Sequence, residues 1–151
     1  MRRAVFPGTF DPITLGHVDV VERSLPLFDE VIIAIGVNAA KKTMFSLEDR
    51  IQFIKKTFEG VSKIKIKSYT GLTAKFCIEE EAQFLIRGLR NSTDLNYEQP
   101  IAQTNFKMAK IDSVFLICSP EVSNISSTIV RDIIQNNGDF VSLVPSSVNI
   151  R

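Results

Sequence analysis

Arg2-Arg3-Ala4-Val5-Phe6, followed by a helical stretch from Gly16 to about Leu25 and then by Glu30-Val31-Ile32-Ile33-Ala34-Ile35, reads as strand, helix, strand. Short β-branched runs bounded by turn signals favour strands, and longer runs with 3.6-residue periodicity favour helices. The alternation continues outward from this unit. Ser46 is placed to cap a second helix, with Glu48 and Asp49 in its first turn, Ile51, Ile54 and Phe58 on one face, and Gly60 as its stop. Lys63 to Tyr69 alternates charged and apolar residues, Thr70-Gly71 turns, and Leu72 to Ala82 reads as a third helix before the apolar run Phe84-Leu85-Ile86. Ser92 or Thr93 is expected to cap a helix reaching about Lys110, kinked at Pro100, where a backbone donor is missing. Ser113 to Cys118 is the fifth strand, Ser126 to Asn136 a last helix ended by Gly138, and a short segment follows near Phe140 to Val144.

Five apolar strands separated by helices specify an α/β fold: one domain over residues 1 to 151, with a doubly wound parallel five-stranded sheet. Parallel strands need crossovers, and those crossovers cover both faces. Ligands of such sheets bind beyond the carboxyl ends of the strands. The informative loops are therefore those after Phe6, Val37, Tyr69, Ile86 and Cys118.

Composition narrows the class. The chain has 151 residues, 44% of them hydrophobic and 23% charged, and a net charge of +1. Its length suffices to bury roughly 68–70% of the unfolded surface, so no disulfide or metal staple is required. A nucleic-acid binder would show a strong positive excess. Cys77 and Cys118 sit in apolar stretches without CxxC spacing and are expected to be buried reduced thiols. The apolar run at the N-terminus is too short for a signal peptide, and no run approaches the roughly 20 apolar residues that span a bilayer. A cytoplasmic location, with neither membrane nor nucleic acid as partner, is the expectation.

The loop after the first strand reads Pro7-Gly8-Thr9-Phe10-Asp11-Pro12-Ile13-Thr14-Leu15-Gly16-His17. Glycines let backbone approach a ligand, prolines stiffen the turn, and Thr9 offers hydroxyl and amide donors. The helix that follows begins with free N–H groups and a partial charge of roughly +0.5, a ready anion site. His17 is the only histidine, and it can donate to a phosphate oxygen without first being charged. Downstream, Lys41-Lys42 offers a mobile point charge, and Arg87-Gly88-Leu89-Arg90 presents two forked donors around a glycine at a strand end. Ser126-Ser127-Thr128 opens a helix with hydroxyls and free amides.

These segments, in this order, resemble a known family. Gly8-Thr9-Phe10-Asp11-Pro12 with Thr14-Leu15-Gly16-His17 is similar to the T/H-x-G-H signature of the Rossmann-like nucleotidyltransferases. Lys41 to Arg50, Ile86 to Glu98 and Asn124 to Arg131 resemble the lysine loop, the R-G-L-R…D-x-x-Y-E segment and the I-S-S-[ST] motif of the phosphopantetheine adenylyltransferases. The resemblance runs from about residue 3 to 145. It implies transfer of AMP from ATP to 4′-phosphopantetheine, giving dephospho-coenzyme A and pyrophosphate.

By the same resemblance His17, Lys41 and Arg90 are catalytic. ATP falls to Thr9, Phe10, His17, Gly88, Leu89, Arg90, Glu98 and the run Val122, Ser123, Asn124, Ile125, Ser126, Ser127 and Thr128. Phosphopantetheine falls to Thr9, Lys41, Thr73 and Arg87. Mg²⁺ is implied as the companion of ATP, with no metal ligands from the protein; coenzyme A is implied as a candidate inhibitor, and a homohexamer as the assembly. Three departures are visible: Val122 stands where relatives often carry an aromatic, Pro100 lies in a helix usually built without proline, and the sequence ends at Arg151, shortly after Val144-Pro145, where many relatives are expected to continue with another helix. Other readings remain open at this point: a cytidylyltransferase acting on glycerol 3-phosphate, a nicotinamide mononucleotide adenylyltransferase, or a nucleotide-binding sensor without turnover.

Overall fold

The computed structural model describes residues 1–150. Its five strands are β1 (Arg3–Gly8), β2 (Glu30–Gly36), β3 (Ile64–Tyr69), β4 (Phe84–Leu89) and β5 (Asp112–Ile117), all parallel, in the order β3-β2-β1-β4-β5. Between and after them run α1 (Leu15–Ser24), α2 (Leu47–Thr57), α3 (Thr73–Glu79), α4 (Ser92–Ala109) and α5 (Ser127–Gln135).

Strand residues alternate between two apolar layers. Ala4, Phe6, Val31, Ile33, Ile35 and Ile86 meet Val20 and Val21 of α1, Phe53 and Ile54 of α2 and Val130 of α5. Val5, Ile32, Ala34 and Leu85 point the other way, against Phe76 and Cys77 of α3. Both faces of β1 and β2 are thus covered, so these strands are apolar throughout. The edge strand β3 alternates instead: Ile64 and Ile66 pack inward, while Lys65 and Lys67 face out, and charged edges discourage pairing with other chains.

The helix boundaries differ in part from the expected ones. Ser46 caps α2 through a bond from the Asp49 amide, as its sequence implied. The cap of α4, however, is Asn91, whose side chain accepts from the Asp94 amide, and Ser92 and Thr93 lie inside the helix. Asparagine caps as well as serine does. α4 continues unbroken past Pro100, so the proline removes a bond without ending the helix. α3 is shorter than expected, stopping at Glu79. Gly71 turns the chain before it with φ of 81°, a conformation that favours glycine. Cys77 is buried and its thiol pKa is pushed up to about 11 by burial. Cys118 departs from expectation: it is only part-buried and faces a cavity.

The order in which strands are laid down reverses at β1. β2 and β3 extend to one side of it and β4 and β5 to the other. The crevice beyond the ends of β1 and β4 is the topological switch point, where an open α/β sheet leaves room for a ligand.

Candidate active site

A cavity of about 500 Å³ occupies that crevice. Its walls include Gly8 at the end of β1, His17 of α1, Arg87 and Gly88 of β4, Arg90, Cys118 and Ser127. A second cavity, of about 280 Å³, shares Pro7, Gly8, Arg87, Tyr97 and Glu98 with the first and extends to Thr9, Tyr69 and Thr73. A third, of about 570 Å³, contains Lys41 and shares Thr9, Gly36 and Tyr69 with the second. His17, Lys41, Arg87 and Ser127 therefore border three adjoining chambers rather than one.

Three helices begin at the first chamber. Thr14 caps α1, Asn91 caps α4 and Ser126 caps α5, and Gly16, Thr93 and Ser127, in the first turns of these helices, line the chamber. The local sequence explains His17. The Thr14 hydroxyl accepts from the His17 amide (3.4 Å), and the Thr14 amide donates to His17 Nδ1 (3.0 Å), a reciprocal cap. A backbone amide can only donate, so Nδ1 is the acceptor and the ring proton sits on Nε2. Phe10 packs edge-on against the imidazole at 4.9 Å between centroids.

Burial, then the charges of Arg87 and Arg90, hold the His17 pKa down to about 4. The ring is neutral at pH 7 and donates through Nε2–H. Because this histidine is unique, NMR titration of its ring should give a midpoint well below 6.5; a midpoint near 6.5 would mean a solvated ring. The unfolded chain takes up this proton near 6.5 and the folded one only near 4. Stability is therefore complete above 6.5 and declines as pH falls through that window.

Both arginines are paired before any ligand arrives. Arg87 grips Glu98 with two bonds, Nη2 to Oε1 at 2.6 Å and Nε to Oε2 at 3.1 Å, and its Nη1 donates to the Pro7 carbonyl at 2.9 Å. Arg90 Nε lies 3.3 Å from Asp94 Oδ2. Asp94 and Glu98 are four residues apart on α4 and so share one face. Burial by itself would raise the Asp94 pKa, but the amide and guanidinium of Arg90 outweigh it and the net shift is downward.

Gly88 lies between these arginines, and a Cβ there would come 2.7 Å from Val20 Cγ2 and 3.3 Å from Cys118 Sγ. Val20 is stiff and buried, so it cannot swing aside. Gly88→Ala should cost about 1–3 kcal/mol of stability, measurable by urea unfolding; an unchanged midpoint would show that the wall yields.

The residues singled out from sequence are distributed unevenly. His17, Gly88, Arg90, Glu98, Ile125, Ser126 and Ser127 line the first chamber, Thr9, Thr73, Arg87 and Glu98 the second, and Thr9 and Lys41 the third. Phe10, Leu89, Val122, Ser123, Asn124 and Thr128 stand outside the linings. The hydroxyls at the start of α5 are already engaged: Ser127 donates to the Pro12 carbonyl at 2.8 Å, Ser126 accepts from the Ile129 amide, and Thr128 accepts from Arg131. Only Ser127 spends its proton in these bonds; the hydroxyls of Ser126 and Thr128 accept, so their O–H groups are free to donate, together with backbone amides of the first turn. Arg131 Nη1 turns toward the Asp11 carbonyl, at 2.9 Å. Thr73 bonds the Tyr69 hydroxyl at 2.8 Å.

Three buried or bridging residues carried no signal of their own. Asp11 and Arg50, 3% and 4% exposed, tie the loop after β1 to the segment that leads into α2. Asp19 accepts from the amide and hydroxyl of Ser119, fixing the loop after β5 to α1. Only the acid at position 11 of a recognisable loop could have pointed to one of them. Among the described residues no three His, Cys, Asp or Glu side chains group to hold a metal.

The cytidylyltransferase-like family model matches residues 5–133. Phosphopantetheine adenylyltransferase of Christiangramia forsetii is 54% identical over 148 residues, 98% of each chain. Its counterpart from Flavobacterium psychrophilum is 54% identical over 151 residues, all of both chains. A bifunctional NMN adenylyltransferase/ADP ribose pyrophosphatase from Francisella tularensis has the same fold, with a TM-score of 0.71 at 17% identity; 97% of this chain is covered but only 46% of that one. With end-to-end alignment at such identity, and with the chambers where a nucleotidyltransferase sheet opens, the chain belongs to the phosphopantetheine adenylyltransferase family.

Proposed function

We propose that the chain transfers AMP from ATP to 4′-phosphopantetheine, releasing pyrophosphate and dephospho-coenzyme A. The observation that carries this reading is the shared wall at Arg87: a donor-lined chamber for a nucleotide adjoins a narrower one for a second phosphate-bearing substrate. The names of the full-length relatives supply the acceptor.

In the proposed step an oxygen of the acceptor phosphate attacks the α-phosphorus of ATP. A new P–O bond forms, the bond to the bridging oxygen breaks, and pyrophosphate leaves with the electron pair. With a second pKa near 6, the acceptor phosphate is largely dianionic at neutral pH and needs no general base. What remains for the protein is alignment and charge stabilisation. His17 Nε2–H donates to the α-phosphate as its charge builds, Lys41 reaches across both phosphates, Arg87 holds the acceptor phosphate and Arg90 the ATP chain. Free amides at the start of α5 receive the β- and γ-phosphates. Glu98 orients Arg87.

Mg²⁺ enters with ATP. It suits a site whose nearby carboxylates are already engaged, since it binds mainly through phosphate oxygens and water. Assembly as a homohexamer and inhibition by coenzyme A belong to the same proposal. Exposed apolar side chains, with Ile117 at 72% and Met108 at 58%, support burial against further copies. No helix among the described residues is long and apolar enough to cross a membrane, and a cytoplasmic location is proposed from the substrates.

The deciding experiment offers ATP and Mg²⁺ with 4′-phosphopantetheine, glycerol 3-phosphate or nicotinamide mononucleotide as acceptor. Pyrophosphate and dephospho-coenzyme A from the first acceptor alone are expected. Turnover of either of the others in preference would overturn the assignment.

A further inference from the structure

We infer that Asp11 is a positioning residue that acts on the reaction through Lys41, by clamping the lysine loop to the loop that carries Thr9 and His17. The inference rests on the function proposed above.

Lys41 stands on a segment between β2 and α2 with little of its own to fix it. Upstream, the Val37 amide donates to the Tyr69 carbonyl at 2.8 Å, and the Lys41 amide closes a turn on Asn38 at 3.0 Å. Downstream, the Met44 amide donates to Asp11 Oδ2 and the Phe45 amide to Asp11 Oδ1, both at 2.9 Å. Two neighbouring donors converging on one group require two acceptor atoms, and an ionised carboxylate supplies both. Arg50 adds a parallel tie, Nη1 to the Thr9 carbonyl at 2.9 Å. Both side chains are buried and their partners half-buried, so water competes little for these bonds.

The clamp spans the part of the chain that must be in register for catalysis. On one side of it lie Thr9 and the start of α1; on the other, three residues upstream of Met44, lies Lys41, whose Nζ approaches Thr9 Oγ1 to 3.3 Å. A lysine keeps many rotamers, so where its backbone is held decides how often the ammonium meets the phosphates. Asp11→Asn retains the shape and one acceptor but turns an NH₂ toward the second amide, and the loop must give way there.

The test is a kinetic cycle of Asp11→Asn, Lys41→Ala and the double variant. Asp11→Asn should lower kcat by about 10- to 100-fold, with a smaller change in KM for ATP, because misplacing a reacting group by ~1 Å can cost about 100-fold. In the Lys41→Ala background the same substitution should cost no more than about twofold, since the group it positions is gone. Equal losses in both backgrounds would reduce Asp11 to a purely structural part. Should Asp11→Asn fail to fold, amide hydrogen exchange of the wild-type chain decides: Met44 and Phe45 must be protected, and free exchange overturns the clamp. A wild-type chain that uses no phosphopantetheine defeats the proposed function instead, whatever its exchange pattern.

Discussion

Replacing His17 with alanine is expected to lower kcat by about 100- to 1,000-fold, the usual effect of deleting one preorganised donor to a developing charge. The dissociation constant for ATP should change far less. The asymmetry follows from the ring's geometry. Nδ1 is committed to the Thr14 amide, so the ring is held at one angle and its Nε2–H is the one donor it offers. A neutral donor gains most when the α-phosphate oxygens carry the extra charge of the transition state, and little before then. The comparison is between kcat from steady-state assays and the ATP affinity of the same variant by calorimetry. Parallel losses in the two would assign His17 to ground-state binding. His17→Gln, which can place an N–H near the Nε2 position, should recover part of the rate.

Arg87→Ala is expected to raise KM for phosphopantetheine by about 10- to 100-fold, which matches the ~1.5–3 kcal/mol of a charge-assisted bond. KM for ATP should shift less. Part of the loss acts through Glu98. Its carboxylate, 11% exposed, now receives two bonds from the guanidinium. Without them an unpaired negative charge would face the incoming phosphate. Arg87→Ala combined with Glu98→Ala should therefore bind the acceptor better than Arg87→Ala alone. If the double variant is no better, or if KM for the acceptor is unaltered in the single one, Arg87 does not hold that phosphate.

What could be read from the chain follows from how local each cause is. Ser46 was recognisable as a cap because the amide it serves is three residues away. The layering of β1 and β2 was legible because strands covered on both faces are apolar along their length. The cap at Asn91 was missed because asparagine and serine stand side by side with equal competence, and backbone geometry alone chooses between them. The chambers at the switch point were anticipated as strand-end loops, but their division into three depends on where Thr9, Tyr69 and Arg87 meet. Asp11 lay in the most informative loop of the sequence, yet its partners are the amides of Met44 and Phe45, 33 and 34 residues on. Amides have no residue identity, so no pattern of letters announces them. Ser126 caps α5 through an amide three residues on and is as local as Ser46, whereas the bond of the Ser127 hydroxyl to the Pro12 carbonyl, 115 residues away, is set by the tertiary fold.

The convergence of three helix starts on one chamber bears on ionic strength. Because all strands run in one direction, α1, α4 and α5 aim their positive ends into the same crevice. Much of the attraction for a polyanion is thereby built from peptide dipoles sheltered inside the molecule, on a chain whose net charge is only +1. Mobile ions shield such a field far less than they shield a patch of surface lysines. Nucleotide affinity should then persist into high salt, even where the outward-facing charges of the protein have ceased to matter.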